Sequence, residues 1–277
     1  MLWRSRMGTA VNFQGLAIDL DGTLLVGEDI PPNNIHAVQA ARDAGLKIII
    51  ATARWHQMAL RIAAQLEIEG PVIACSGAQV HDPASAQDLF DERLPEDFVE
   101  ELYTLCDAER CVATVTVTDQ VLLKLDGEPD AALMPDEMRW VPALTGAADS
   151  LPRVAAIQGS AVNARIRAEL QPRYADQVHF LDSIGPTGKI ILTLTAITAS
   201  KGDALKAACR HLDMDPSRVV AFGDSENDLE MFKVAGASVA MGQADAVVKA
   251  AATKVTSRHD EDGVARAIEE LLATGSV

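Results

Sequence analysis

Cysteine pairs at redox or metal-binding spacing are missing from this chain. Its four cysteines, Cys75, Cys106, Cys111 and Cys209, form no Cys-x-x-Cys. They read as small core residues in a reducing compartment, so no structural zinc site is expected. No stretch reaches the roughly 18 uninterrupted apolar residues of a membrane span. The leader Met1–Met7 carries two Arg but neither a 7-residue apolar run nor a small-residue cleavage site, and the cytoplasm is the expected location. Glycine (18) and proline (12) are too few for a fibrous or low-complexity class, and 48% hydrophobic residues with 23% charged exclude wholesale disorder. Basic residues are the marked scarcity. Twenty-four Lys plus Arg against 40 Asp plus Glu leave a net charge of −16, which repels phosphate backbones and anionic headgroups, so neither nucleic acid nor membrane is an expected partner. An anionic substrate would need a local cation.

Familiar catalytic strings are also absent. No Gly-x-Gly-x-x-Gly follows the first apolar run, and Gly185-Pro186-Thr187-Gly188-Lys189 has neither the spacing of a P-loop nor a hydroxyl residue after the lysine, so it reads as a turn before a strand. The six histidines lack His-Glu-x-x-His spacing, and Ser225 lacks a Gly-x-Ser-x-Gly frame.

What is present is winding. At about 150 residues per domain, 277 residues suggest two modest domains. Short apolar runs at residues 16–20, 47–52 and 71–75 alternate with helical patterns at 35–41 and 56–66, the signature of a parallel sheet covered on both faces. Past Val80 the texture changes. Residues 88–110 read as one amphipathic helix with an acidic solvated side, runs at 111–117 and 121–125 suggest a hairpin, and a Pro-rich loop, a strand at 154–158, a helix at 162–170 and strands at 178–181 and 190–194 follow. Parallel winding resumes at Ser200. The expected organisation is a core from residues 12–81 and 190–277, an inserted domain over 82–189, and a disordered tail over 1–11.

The most informative string is Asp19-Leu20-Asp21-Gly22-Thr23, where the first strand runs out. In an open parallel sheet ligands sit beyond the carboxyl ends of strands. Two such close carboxylates repel and need a metal, a cation or a shared proton; a nucleophile paired with a general acid is one use for them. The bland alternative is a turn at Asp21-Gly22 with Asp19 an incidental cap. Three further strand ends carry Thr52, Lys201 and Gly223-Asp224-Ser225-Glu226-Asn227-Asp228. Taken singly, Thr52 reads as a helix cap, Lys201 as a surface cation misplaced at a helix start, and the acidic string as a capped first turn. Asp224 and Asp228, four apart, can also face one point and suit Mg²⁺.

In order and spacing these four sites resemble the motifs of the haloacid dehalogenase superfamily, and Ala51-Thr52-Ala53-Arg54, Ser76-Gly77-Ala78, Ser200-Lys201-Gly202 and Asp262-Gly263-Val264-Ala265 resemble its Cof-like type IIB branch. The resemblance implies an α/β fold, a Rossmann-like parallel-sheet core with an inserted α/β cap of C2 type. It implies a Mg²⁺-dependent phosphatase hydrolysing a small phosphorylated metabolite, a monomer or homodimer, with Asp19 as nucleophile and Asp21 as acid/base. Thr52, Ala53, Lys201 and Asn227 would bind phosphate, and Arg54 and Ser76 would touch substrate. Asp19, Asp224 and the main-chain carbonyl of Asp21 would ligate the metal, with Asp228 in support. Ala53 and Ser76 depart from the Gly and Asn usual in the branch. A phosphomutase, or a catalytically silent metabolite-binding module, are the alternatives; intact Asp21 and Lys201 speak against the second.

Overall fold

A computed structural model describes residues 12–118, 120–130, 132, 134–148, 150–184 and 188–277. The tail expected over 1–11 and most of the turn expected at 185–189 lie outside the described residues. In chain order the elements are β1 (Gly15–Ile18), α1 (Pro32–Asp43), β2 (Lys47–Ala51), α2 (His56–Gln65), β3 (Val72–Ala74), β4 (Gln79–Asp82) and β5 (Gln87–Asp91). There follow α3 (Glu96–Ala108), β6 (Val112–Thr116), β7 (Val121–Lys124), β8 (Met138–Val141), β9 (Val154–Gln158), α4 (Ser160–Arg165), a π turn (Ile166–Leu170), α5 (Gln171–Tyr174), β10 (Val178–Ile184) and β11 (Ile190–Ala196). The chain ends with α6 (Lys201–His211), β12 (Val219–Gly223), α7 (Leu229–Val234), β13 (Ala237–Ala240), α8 (Ala246–Ala251), β14 (Lys254–Val255) and α9 (Gly263–Thr274).

Two compact units result, 12–90 with 200–277, and 91–199. In the first, eight strands lie in the order β14-β13-β12-β1-β2-β3-β4-β5. Strands β14 to β3 are parallel, and β4 runs back antiparallel to β3. Strand β1 has no solvent face. Leu16 and Ile18 pack with Ile48, Ile50, Val220 and Phe222 under α1, α2 and α9, while Ala17 packs with Ile49, Ala51 and Ala221 under α6 and α7. Alternate residues therefore feed two apolar layers, which is why these strands read as unbroken apolar runs. The winding reverses between β1 and β12.

The second unit holds a six-stranded sheet, β10-β11-β9-β6-β7-β8, antiparallel except for the pair β7–β8. Phe98 of α3 meets Tyr174 and Phe180 edge-on in its core. The long helical stretch 160–174 widens to a π turn just before Pro172, which cannot donate to the preceding turn.

Three expectations need correction. The boundaries at 82 and 189 both move towards the C-terminus, to Phe90/Asp91 and Ala199/Ser200: β4 and β5 extend the first sheet, and β11 pairs with β9 and β10 in the second. Residues 88–110 are not one helix. Leu89 and Phe90 pack against the first unit's core as part of β5, and the helix waits for Pro95 to set its entry. The Pro-rich loop contains β8, hidden because its residues are mixed in polarity and only Val141 is buried. No helix among the described residues is long and apolar enough to cross a membrane.

Candidate active site

Four neighbouring parallel strands of the first sheet end at the same edge, and each is followed by a polar residue of interest. Asp19 follows β1, Thr52 follows β2, Ser76 follows β3 and Asp224 follows β12. Asp19 and Asp224 thus leave the two strands on either side of the point where winding reverses, the place where an open sheet parts to form a crevice.

Lys201 enters from the first turn of α6. Its ammonium, fully buried, donates to Asp19 Oδ1 and to Asp228 Oδ1, each at 2.6 Å. A cation here opposes the helix dipole, and burial adds a desolvation cost. The two carboxylates offset both. Burial pulls the lysine's pKa down, yet Asp19 and Asp228 reverse this and hold it above its ordinary value. The other Asp228 oxygen accepts the main-chain N–H groups of Asp224 at 3.0 Å and Ser225 at 3.1 Å. The capping role and the functional role of Asp228 therefore coexist, one oxygen for each.

Asp19, Asp224 and Asp228 offer carboxylate oxygens within 4.8 Å of one another. Three carboxylates against one ammonium leave two negative charges in excess in a buried pocket. The strain shows in the acids. Burial pushes Asp19 up to about 8 despite Lys201, with the charge of Asp228 adding to the rise. Burial and Asp228 push Asp224 up to about 6. A hard divalent cation among oxygen donors is what such a set fits.

Asp21 stands apart. Its carboxylate lies outside the three-acid cluster, half-exposed, and accepts two hydrogen bonds from Arg54, Nε to Oδ2 at 2.9 Å and Nη2 to Oδ1 at 2.6 Å. Arg54 also grips Glu28, Nη1 to Oε2 at 2.6 Å. Arg54, read from the resemblance as a substrate residue, here holds the acid/base candidate, a forked contact that lysine could not reproduce. Of the metal ligands expected at Asp21, only its main-chain carbonyl remains available to a shared centre, since its side chain points to Arg54.

The phosphate-binding candidates are placed more loosely. Thr52 is buried and its hydroxyl accepts the Arg54 N–H at 3.1 Å. Ala53 is exposed, and Asn227 Oδ1 accepts from Ser225 Oγ at 2.8 Å. Ser76 is buried in a left-handed conformation, φ 58°, which a small polar residue tolerates better than a branched one. Beside it Gly77, φ 93°, lies so close to Ser200 and Lys201 that a Cβ would strike the backbone that starts α6. Gly22 is similarly required: its φ is 77° and a Cβ would collide with the Asp224 carboxylate.

Two participants escaped sequence reasoning. Gln243, beyond β13, donates to the Gly22 carbonyl at 2.6 Å and approaches Asp224 Oδ2 at 3.4 Å, tying the loops after β1 and β12 together. Its only signal was its place past a strand end. Glu28 had no signal, because it reaches Arg54 through a turn, Val26–Asp29, that no periodicity announces.

Comparison with known proteins identifies relatives over nearly the whole chain. The 5-amino-6-(5-phospho-D-ribitylamino)uracil phosphatase YitU of Bacillus subtilis (strain 168) is 29% identical over 261 residues, spanning 92% of this chain and 96% of that protein. The pyridoxal phosphate phosphatase YbhA of Escherichia coli (strain K12) is 28% identical over 279 residues, spanning 91% and 96%. A solved haloacid dehalogenase-like hydrolase from Bacteroides thetaiotaomicron shares the fold, with a TM-score of 0.81 at 24% identity over 94% of this chain and 99% of that one. A family model described as haloacid dehalogenase-like hydrolase matches residues 16–268, a span that holds every strand-end residue just described, and the chain belongs to that family of hydrolases.

Proposed function

We propose that the chain is a Mg²⁺-dependent phosphatase that hydrolyses a small phosphomonoester through a phosphoryl intermediate on Asp19. The observation that carries this reading is the buried Lys201 shared between Asp19 and Asp228, with Asp224 completing an oxygen cluster that is short of positive charge. Asp19 and Asp224, with the Asp21 carbonyl, would hold the metal, and Asp228 would support it. When bound, it supplies charge neutralisation for phosphoryl oxygens.

The chain's own residues do the rest. The Asp19 carboxylate attacks phosphorus while Lys201 offsets the charge that accumulates between them, and Thr52, the Ala53 main chain and Asn227 orient the phosphoryl oxygens. Asp21 first gives a proton to the leaving oxygen and then takes one from the water that cleaves the aspartyl phosphate. The forked contact with Arg54 occupies both carboxylate oxygens of Asp21, so proton donation in the first step requires the acid to leave Arg54. Relatives named for a ribitylaminouracil phosphate and for pyridoxal phosphate support a small phosphorylated metabolite as substrate. The unit over 91–199 is read as the cap, the part that selects it.

The test is phosphate release from an aryl phosphate, then from a metabolite panel, with Mg²⁺ and with chelator. Metal-dependent release that Asp19→Asn removes without unfolding is expected. Undiminished turnover by Asp19→Asn contradicts the assignment, and isomerised sugar phosphate in place of inorganic phosphate redirects it to a mutase.

A further inference from the structure

The second unit contains a cluster of reactive groups that phosphate chemistry does not use. Cys106 lies in the last turn of α3 and Cys111 just before β6, so a tight turn brings the two side chains together. All four cysteines are free thiols. The two thiols influence each other's ionisation. Lys124, the last residue of β7, is 3% exposed, and its ammonium sits 3.8 Å from Cys111 Sγ. The other neighbours of that ammonium are weak: the Glu109 carbonyl at 3.4 Å and Asp126 at 3.9 Å. A buried ammonium needs an anion beside it, and the Cys111 sulfur at 3.8 Å and the Asp126 carboxylate at 3.9 Å are the two groups within reach that can supply one.

We propose that Cys106 and Cys111 form a peroxide-responsive dithiol, with Cys111 as the attacking thiolate, Cys106 as the resolving thiol and Lys124 as the cation that sustains the thiolate.

The surroundings separate the two sulfurs. The Cys106 side chain, and then the Lys124 charge, hold the Cys111 thiol below its ordinary range against the effects of burial and of Asp126. The Cys111 side chain and burial push the Cys106 thiol up, with Asp107 adding to the rise. The protonated Cys111 thiol donates to the Cys106 carbonyl at 3.4 Å, so its ionisation gives up that hydrogen bond and depends the more on Lys124. This division into one ionised and one protonated thiol is what a sensor pair requires. Access is unequal as well. Cys111 is 5% exposed and Cys106 is sealed; Lys124, which contacts Cys111, lines an open cavity of about 320 Å³ together with Glu109, Arg110, Asp126 and Trp140.

The chemistry balances with a hydroperoxide as oxidant. The Cys111 thiolate attacks the terminal peroxide oxygen; the O–O bond breaks, and the departing alkoxide or hydroxide takes a proton and leaves as alcohol or water, giving Cys111 sulfenic acid. The Cys106 sulfur then attacks the Cys111 sulfur, the S–O bond breaks, and the Cys106 proton leaves with the hydroxyl as water. Two thiols lose two electrons, the peroxide gains them, and an external dithiol reverses the change.

The test treats the reduced full-length chain with one equivalent of hydrogen peroxide and follows it by intact mass and peptide mapping. Loss of two hydrogens with a Cys106–Cys111 cross-link is expected before any change at Cys75 or Cys209. Cys106→Ser should stop at a sulfenic acid on Cys111 that a dimedone-type reagent traps. Lys124→Met, checked for folding by its melting curve, should slow alkylation of Cys111 about tenfold at neutral pH, the effect of roughly one pKa unit on the thiolate fraction. If that variant fails to fold, the wild-type pH profile of Cys111 alkylation decides: its midpoint should fall below that of free cysteine. A midpoint at or above that of free cysteine, an unchanged rate in folded Lys124→Met, or oxidation that begins at Cys75 or Cys209 overturns the proposal.

Discussion

The two units bury charge in opposite ways. In the first, Asp19, Lys201 and Asp228 are sealed at one edge of a parallel sheet, and three acids share one lysine. In the second, the sealed cations are Arg153 and Lys124, each with its own separate surroundings. Arg153 donates to Asp91 at 2.6 Å and to the carbonyls of Val117 and Thr118 at 3.1 Å. Arg153 is closely paired, whereas the acid cluster of the first unit is left short of positive charge. Parallel strands end together and bring side chains from distant segments to one point, whereas an antiparallel sheet distributes its strand ends over both edges. A paired buried ion is architecture; a buried cluster with surplus charge is what the proposed metal site is built on.

That contrast can be broken by substitution, beginning with the largest effect. Asp19→Asn should lower phosphate release by roughly 10⁴-fold or more, the scale on which loss of a nucleophile acts, while circular dichroism and the melting curve show a folded chain. Lys201→Met should cost about 10²- to 10³-fold in turnover, as for a lost charge-stabilising donor, and melt earlier without Mg²⁺ because three acids then face one another unpaired. Arg153→Met should behave in the opposite sense, destabilising the second unit by about 1–3 kcal/mol through the Val117 and Thr118 carbonyls that lose their donor, Asp91 keeping Arg93, with a melting curve that Mg²⁺ does not restore. Magnesium at a hundredfold excess over its Kd should stabilise the wild-type chain by about 2.7 kcal/mol, seen as a melting shift that a chelator reverses and Asp224→Asn abolishes. The smallest effect belongs to Arg54→Lys, which keeps the charge and loses the fork: about tenfold in kcat, with the melting temperature unchanged. A melting response to Mg²⁺ that survives Asp224→Asn, or one that Arg153→Met removes, would erase the distinction between the units.

The legible part of the molecule was the part governed by strand ends. Asp19, Thr52, Lys201, Asp224 and Asp228 could be named because each closes or follows an apolar run or opens a helix, and their chemistry conflicts with the bland role of that position. Lys201 is the clearest instance, a cation placed where the helix dipole disfavours one, explained once Asp19 and Asp228 are seen beside it. The Asp21–Arg54–Glu28 triad was not legible, because the partners come from two loops whose meeting depends on turn geometry. The second unit was harder throughout. Strand β8 has only one buried residue, β5 was absorbed into a helical reading by its acidic content, and β11 was assigned to the wrong sheet because pairing partners leave no trace in a single apolar run. Cys106 and Cys111 were counted as core residues; only Lys124, brought to them by the β6–β7 pairing, gives them a different meaning.

The central assignment is the phosphoryl acceptor. Rapid quenching during turnover of an aryl phosphate with Mg²⁺, followed by borohydride reduction and peptide mapping, reads it directly. The predicted result is a single reduced aspartyl site at Asp19, absent when Mg²⁺ is chelated. Turnover with no trapped aspartyl phosphate, or a trapped site at Asp21, Asp224 or Asp228, would contradict it.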